Sequence, residues 1–401
     1  MSRRVAVTGV GVVSSIGIGF QDFSAALMQG TDAAGPVTVI DVDRFRTSVA
    51  CEVKGFASEP WLQHASAGDI GRAAAFAVAA SRMAVQDAFD SDREMLARPG
   101  AVVIGTSDGG SHEIDRLVAA HADGEWDAVT SAAVQKVALD AIPRSVASEI
   151  GLEDVEVFAA GNACAASNQA IGLAADAILA GDVEFAIAGG ADALCRRGFA
   201  AFSRLNVMAS ERCSPFDVSR EGLLLGEGAA MLILEDLDSA RERGAHIYAE
   251  VLGYASSCDG HHPVQPLRGS VADCLRMALE RSGVEPHSVD MVSAHGTATP
   301  TNDVTESLAL ADVFEGSAPP VTAVKSMIGH TMGAAGAMGA LACIAAIEAQ
   351  MIPPTINLDV RDPNCPVDVV AGAARPAQVS IAQNNAFGFF GNNVSVIFGS
   401  P

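Results

Sequence analysis

Two stretches of this chain are too apolar to lie on a surface. Residues 157–182, VFAAGNACAASNQAIGLAADAILAGD, pass from a strand-like run through a Gly/Asn turn into a helix made almost wholly of small and apolar residues. Residues 321–350, VTAVKSMIGHTMGAAGAMGALACIAAIEAQ, repeat that plan in different letters. A helix apolar around its whole circumference must be covered on every side, and glycine inside it is tolerated where another element approaches closely. Two such helices, one in each half of a 401-residue chain, imply an internally duplicated α/β/α/β/α sandwich with a buried helical layer at its centre.

Short β-branched runs ending in glycine or acid recur: RRVAVTGVG, GAVVIGTSDGG, VEFAIAGGAD, AAMLILED, VDMVSAHGT and VSVIFG. Amphipathic stretches such as GRAAAFAVAASRMAVQDAF and SVADCLRMALERSG lie between them. That alternation predicts an α/β fold with largely parallel sheet and helices on its faces. No long polar linker intervenes, so the halves, residues 1–240 and 241–401, are expected to be fused into one body. With 39 glycines against two tryptophans and two tyrosines, the core must rely on close backbone approach rather than aromatic bulk.

The formal net charge of −23 has the wrong sign for phosphate, so neither nucleic acid nor an anionic membrane surface is an expected partner. The amino-terminal MSRRVAVTGVGVVSS reads as a strand and turn rather than a signal peptide, and no apolar run is taken as a membrane span. Eight scattered cysteines without a CxxC pair read as reduced thiols of a cytosolic protein, and no metal-ligand spacing is present.

GVGVVSSIG contains Gly9 and Gly11, but Ser14 stands where a dinucleotide fingerprint needs its third glycine. A tight strand-to-loop turn is the expectation there. Cys164 offers more, because it lies where a strand ends and the small-residue helix begins. Unpaired N–H groups and the positive end of the helix dipole then surround its sulfur, which lowers a thiol's pKa and provides an oxyanion site. His295, after the strand DMVSA, and His330, at the entry to the second apolar helix, occupy junctions of the same kind. Three such junctions point to one site. His261 and His262 read as a solvated loop pair.

Six blocks in order, GNACAASNQAIGLAADAILAGDVEFAIAGGADA, SPFDVSREGLLLGEGAAMLILED, RGAHIYAEVLGY, AHGTATPTNDVTE, VKSMIGHTMGAAGA and MIPPTINLD, resemble the β-ketoacyl-(acyl carrier protein) synthases. These are the elongating condensing enzymes of fatty-acid and polyketide assembly, and the resemblance spans nearly the whole chain. It implies a thiolase-like fold, a homodimer or a heterodimer with a related subunit, no bound cofactor or metal, and substrates carried on the phosphopantetheine arm of acyl carrier protein. Cys164 matches the acyl-accepting nucleophile, and His295 and His330 match the pair that promotes malonyl decarboxylation. Lys325 matches the lysine that orders the second histidine's surroundings, with Glu306 as its carboxylate partner. Thr297 and Thr299 match threonines that bind the pantetheine arm, while Phe202 and Asp108 fall in the substrate pocket. Phe389 matches a gating phenylalanine, followed by Phe390, and the backbone N–H groups of Cys164 and Phe389 match an oxyanion hole. The chemistry needs these types: one thioester replaces another at little cost, and neutral imidazoles beside a cation can donate to an enolate.

Three departures stand out. Where the family reads GFGGTN this chain has GFFGNN, so Phe390 replaces a glycine and Asn392 a threonine, and the extra ring is expected to reshape the acyl entrance. Asp108 stands where an apolar residue usually meets the pocket floor, so it points elsewhere or the pocket is not built for a saturated chain. Carrier proteins are acidic, which leaves Arg72, Arg196, Arg197 and Arg204 as docking candidates. The short VMASERCSPFD resembles synthases of polyene, polyketide or nodulation-type chains more than housekeeping ones. Among rivals, a non-catalytic chain-length partner would not need Cys164, His295, His330 and Lys325. A degradative thiolase would need a cysteine after Cys365, and a cysteine hydrolase leaves two histidines and a lysine unexplained.

Overall fold

The computed structural model describes residues 3–89 and 98–401, so Met1 and Ser2 of the amino-terminal motif lie outside it. The first half supplies strands β1 (Val5–Ser14), β2 (Gly100–Gly105), β3 (Val155–Ala160), β4 (Phe185–Asp192) and β5 (Gly228–Asp236). The second supplies β6 (Ala249–Cys258), β7 (Met291–Ser293), β8 (Val321–Thr322), β9 (Ile381–Gly388) and β10 (Asn392–Gly399). Their spatial orders are β3-β2-β4-β5-β1 and β8-β7-β9-β10-β6, which is the same permutation twice. The halves join where Val5–Val7 of β1 pair with Ala249–Val251 of β6.

Within each half two pairings are parallel and two antiparallel, so the sheet is mixed rather than largely parallel. The reason is visible at β9 and β10, where only Phe389–Gly391 intervene. A link that short closes a hairpin and cannot make a crossover.

Helices α1 (Arg72–Ala88) and α2 (Ala141–Ile150) cover the outer face of the first half. Between the halves lie α3 (Ala166–Ala180) and, from the second half, a helix at Ala335–Ala349, each touching strands of both halves. α4 (Arg196–Arg204) flanks the site, while α5 (Arg268–Ser282) and α6 (Pro300–Val313) cover the other outer face. The helix at Ala335–Ala349, α7, is buried from Ala335 through Ile347. By length and composition Ala163–Ala180 and Met332–Ala349 could each cross a membrane, but here strands of the protein take the place of lipid.

GVGVVSSIG turns only at its end: β1 runs through Gly9 and Gly11 to Ser14, and Ser15 and Ile16 then make a tight turn that pairs Gly17 and Ile18 back onto Ser14 and Val13. The glycines serve the strand, since α1 lies so close that a Cβ on Gly11 would overlap the Ala80 carbonyl oxygen. The glycines of β1 and the alanines of α1 therefore form one helix-on-strand seam.

Candidate active site

After β3 a single turn, Ala163–Ala165, leads into α3. Ala163 has φ 47°, a left-handed backbone that few non-glycine residues adopt, and the sharp bend sets Cys164 at the helix entry. Cys164 is 5% exposed. Burial pushes its thiol up to about 12, against the pull of Lys325's charge and of the Phe389 backbone N–H. The lowered pKa expected from the helix entry is thus overridden by desolvation, which favours the neutral thiol at Cys164.

The rings of His295 and His330 stand edge to face with centroids 5.6 Å apart. The Met332 N–H donates to His330 Nδ1 at 3.2 Å. Lys325 Nζ lies 3.4 Å from His295 Nδ1 and donates to the His295 carbonyl oxygen at 2.6 Å. With both Nδ1 atoms accepting, each neutral ring carries its proton on Nε2. Burial, Lys325 and His330 hold His295 well below the usual imidazole range, and burial and Lys325 do the same to His330. Glu306 does not meet the lysine as a direct partner. Its carboxylate oxygens accept the backbone N–H groups of His295 and Gly296 at 2.8 and 2.9 Å. Lys325 and Glu306 therefore hold the His295 backbone by its carbonyl and its N–H.

These groups meet in a cavity of ≈530 Å³ lined by Cys164, Phe202, His295, Thr297, Thr299 and His330, with Phe387, Gly388 and Phe389 along one wall. The hydroxyls of Thr297 and Thr299 are 2.9 Å apart, and Thr299 caps α6. Phe389 stacks on Phe202 with centroids 5.4 Å apart. His262 is more than a loop residue: it lines the mouth, and its Nδ1 accepts the N–H groups of Val264 and Gln265.

Phe390 and Asp108 do not line this cavity. At φ 64° the Phe390 backbone reverses and leaves the residue 68% exposed, so its ring is not part of the cavity wall that Phe389 and Gly391 on either side form. Asp108 turns to Arg197, 2.6 Å away, which answers the desolvation problem its charge posed. That pairing occupies one docking candidate, and Arg72, bound to Glu227 at 2.5 Å, is occupied likewise. The asparagines around Phe389 divide their work. Asn392 Nδ2 donates to the Phe389 carbonyl at 2.9 Å, Asn393 Nδ2 to Asp259 at 2.6 Å, and buried Asn384 ties Asn168 of α3 to the Gly336 carbonyl of α7.

Sequence reasoning missed two buried carboxylates. Asp192, the last residue of β4, accepts the Thr106 hydroxyl at 2.6 Å and the N–H groups of Ser107, Asp108 and Gly333 at 2.9, 2.9 and 2.6 Å. Burial and Asp108 push it up to about 7, against those bonds. Asp303 accepts the N–H groups of Phe216 and Ala298 at 2.8 and 3.2 Å and so fixes the turn after His295. The acidic end of VEFAIAGGAD was the available signal for the first.

Residues 2–240 match the β-ketoacyl synthase N-terminal domain and residues 248–359 its C-terminal domain. The chain belongs to the β-ketoacyl synthase family. It is an acyl-transferring condensing enzyme of the 3-oxoacyl-(acyl carrier protein) synthase kind. It is 36% identical to 3-oxoacyl-[acyl-carrier-protein] synthase 2 of Synechocystis sp., covering 99% of this chain and 98% of that protein. Among solved structures it is similar to the ishigamide ketosynthase/chain length factor, at 45% identity and a TM-score of 0.98 with 100% of each chain covered. A type II polyketide ketosynthase in complex with its acyl-carrier protein and bound to the hexaketide matches at 30% identity, TM-score 0.89 and 100% of each chain.

Proposed function

We propose that Cys164 is the acyl-accepting nucleophile, and that residues 1–240 supply it while residues 241–401 supply the two histidines and the gate. The observation that carries this reading is the convergence on one cavity of Cys164, the Phe389 backbone and two imidazoles whose Nδ1 atoms face the Lys325 amine and the Met332 N–H. An acyl thioester on a carrier's phosphopantetheine arm enters past Thr297 and Thr299. The Cys164 sulfur attacks its carbonyl, the carrier thiol departs with the proton, and one thioester has replaced another. Malonyl carrier then loses CO₂, and the enolate oxygen accepts from the Nε2–H groups of His295 and His330. Its carbon attacks the acyl-Cys164 carbonyl, whose oxygen gathers charge beside the Cys164 and Phe389 N–H groups. Collapse frees the Cys164 sulfur, which takes up a proton, and leaves a 3-oxoacyl chain on the carrier.

The 45% identity to the ishigamide ketosynthase/chain length factor, together with the short VMASERCSPFD, favours a specialised acyl or polyketide pathway over primary fatty-acid elongation. A dimer with a related subunit fits the edge strand β3, which leaves Val157 and Phe158 exposed beside unpaired backbone. A cytoplasmic setting suits eight free thiols. The test is mass spectrometry of the Cys164 peptide after incubation with mixed acyl carrier proteins, with CO₂ release from malonyl carrier followed in parallel. Acylation is expected at Cys164 in wild type and in His330→Ala, while His330→Ala loses roughly 10²–10³-fold in CO₂ release. Full condensing activity in Cys164→Ala would instead assign a chain-length partner, and release of free acid without condensation a hydrolase.

A further inference from the structure

The second half carries a copy of the nucleophile's turn. Met332 has φ 55° where Ala163 has φ 47°, and each stands three residues before the first residue of its central helix, Ala335 and Ala166. The next residues, Gly333 and Cys164, are therefore equivalents. The strand ends that face them are equivalents too, for β4 and β9 are each eight residues long and reach across to the turn of the other half. There the two copies differ. Asp192, ending β4, places its carboxylate on the Gly333 N–H at 2.6 Å. Gly388, ending β9, has no side chain, and a Cβ there would stand 3.1 Å from the Cys164 nitrogen. One junction holds a side-chain acceptor of its own, and the other is left open for an oxyanion.

We propose that Asp192 is a positioning residue for His330: its carboxyl group fills the acceptor position of the second turn and so keeps the Met332 N–H on His330 Nδ1. This rests on the reading of His330 as an enolate donor through Nε2–H. The geometry carries it in three steps. Gly333, held by Asp192, is the neighbour of Met332, whose N–H fixes the tautomer. The other three donors to Asp192 come from Thr106, Ser107 and Asp108, so the carboxylate bolts the turn to the end of β2. Three of the four donors are backbone N–H groups, which cannot reverse, so an acceptor on every side is required and a carboxylate meets that need where an amide does not. Asp192 is fully buried and lies outside the cavity lining, so it acts through the turn and not on substrate.

The experiment compares Asp192→Ala, Asp192→Asn and Thr106→Val, reading malonyl-carrier decarboxylation against acylation of Cys164 by a small acyl thioester. Asn can keep the Gly333 bond by turning its amide nitrogen to the Thr106 hydroxyl, so the decarboxylation-to-acylation ratio is expected to fall about threefold in Asp192→Asn and at least tenfold in Asp192→Ala. Thr106→Val, which removes the hydroxyl's bond to Asp192 and the one it accepts from the Gly109 N–H but not the bond to Gly333, should leave the ratio unchanged. Nitrogen-15 NMR of His330 should show Nε2–H alone in wild type and mixed tautomers in Asp192→Asn, a readout that serves even if Asp192→Ala does not fold. If both activities fall by a common factor, or the tautomer stays pure, Asp192 is merely structural and the proposal is wrong. A wild type that does not decarboxylate malonyl carrier would overturn the underlying reading instead.

Discussion

Gly388→Ala separates the fold from the chemistry. The glycine sits at φ −109° and ψ 160°, extended backbone open to any L-residue, so the change introduces no left-handed strain. Its new methyl would stand 3.1 Å from both the Cys164 nitrogen and the Ala163 Cβ, contacts that a shift of a few tenths of an ångström relieves. Replacing glycine gains about 0.5–1 kcal/mol of backbone entropy, which offsets part of that crowding. Net stability should stay within about 1 kcal/mol of wild type by urea titration. Activity should not, because the methyl covers the N–H that an oxyanion must approach to about 2.7–3.1 Å. Losing one such donor costs about 10²–10³ in kcat. Stopped assays of carrier-bound product should show that loss in both acylation and condensation, since each passes through a tetrahedral oxyanion. Malonyl decarboxylation, which depends on the histidines, should hold. Condensation within threefold of wild type, in a variant that binds substrate normally, would refute the placement of the oxyanion at Cys164.

Gly11→Ala should act on the fold alone: a Cβ there overlaps the Ala80 carbonyl, and forcing α1 away from β1 should cost about 3 kcal/mol in urea midpoints. The pH dependence of thermal unfolding has a predictable sign. Burial raises Asp192 and Glu306 to about 7 and Asp303 to about 6, so the folded state holds protons that the unfolded chain, with carboxylates near about 4, has released. Stability should therefore fall as pH rises through that window, giving a higher Tm at pH 6.5 than at pH 8.5. Below about 6.5 the unfolded chain protonates His295 and His330, which the fold keeps neutral, so the gain should level off there. A Tm that rises from pH 6.5 to 8.5 by calorimetry would contradict the assignment.

Much of this architecture was legible because burial leaves a compositional mark. Helix α7 has no polar face and α3 only a narrow one, and a position between the two halves of the sheet covers them. Cys164, His295 and His330 were legible because each sits at a strand-to-helix junction, a position the sequence punctuates. What stayed hidden was direction. Nothing in the letters GFFG says that Phe390 adopts φ 64° and faces solvent, since its backbone sign is set by the Pro263 carbonyl that accepts its N–H. Glu306 was legible as the lysine's carboxylate partner but not as a backbone acceptor, because a carboxylate near a lysine has two partners to choose from. Gly9 and Gly11 read as a turn because local propensity cannot see α1 pressing on the strand. Asp192 was passed over because its four donors come from residues far away in sequence, Gly333 most of all.

The duplication also decides which backbone distortion belongs to catalysis. A left-handed alanine ahead of a nucleophile invites the inference that strain is stored there for reactivity, at about 1–3 kcal/mol. Met332 adopts the same conformation in the half whose turn carries Gly333 in place of a cysteine. The bend is thus a requirement of the architecture, which must turn each chain from a strand end into a helix lying between two sheets. Chemistry entered through what surrounds the bend: a cysteine rather than a glycine after it, and a glycine rather than an aspartate facing it. Because β9 of the second half faces the turn of the first, and β4 of the first faces the turn of the second, neither half on its own could build the site.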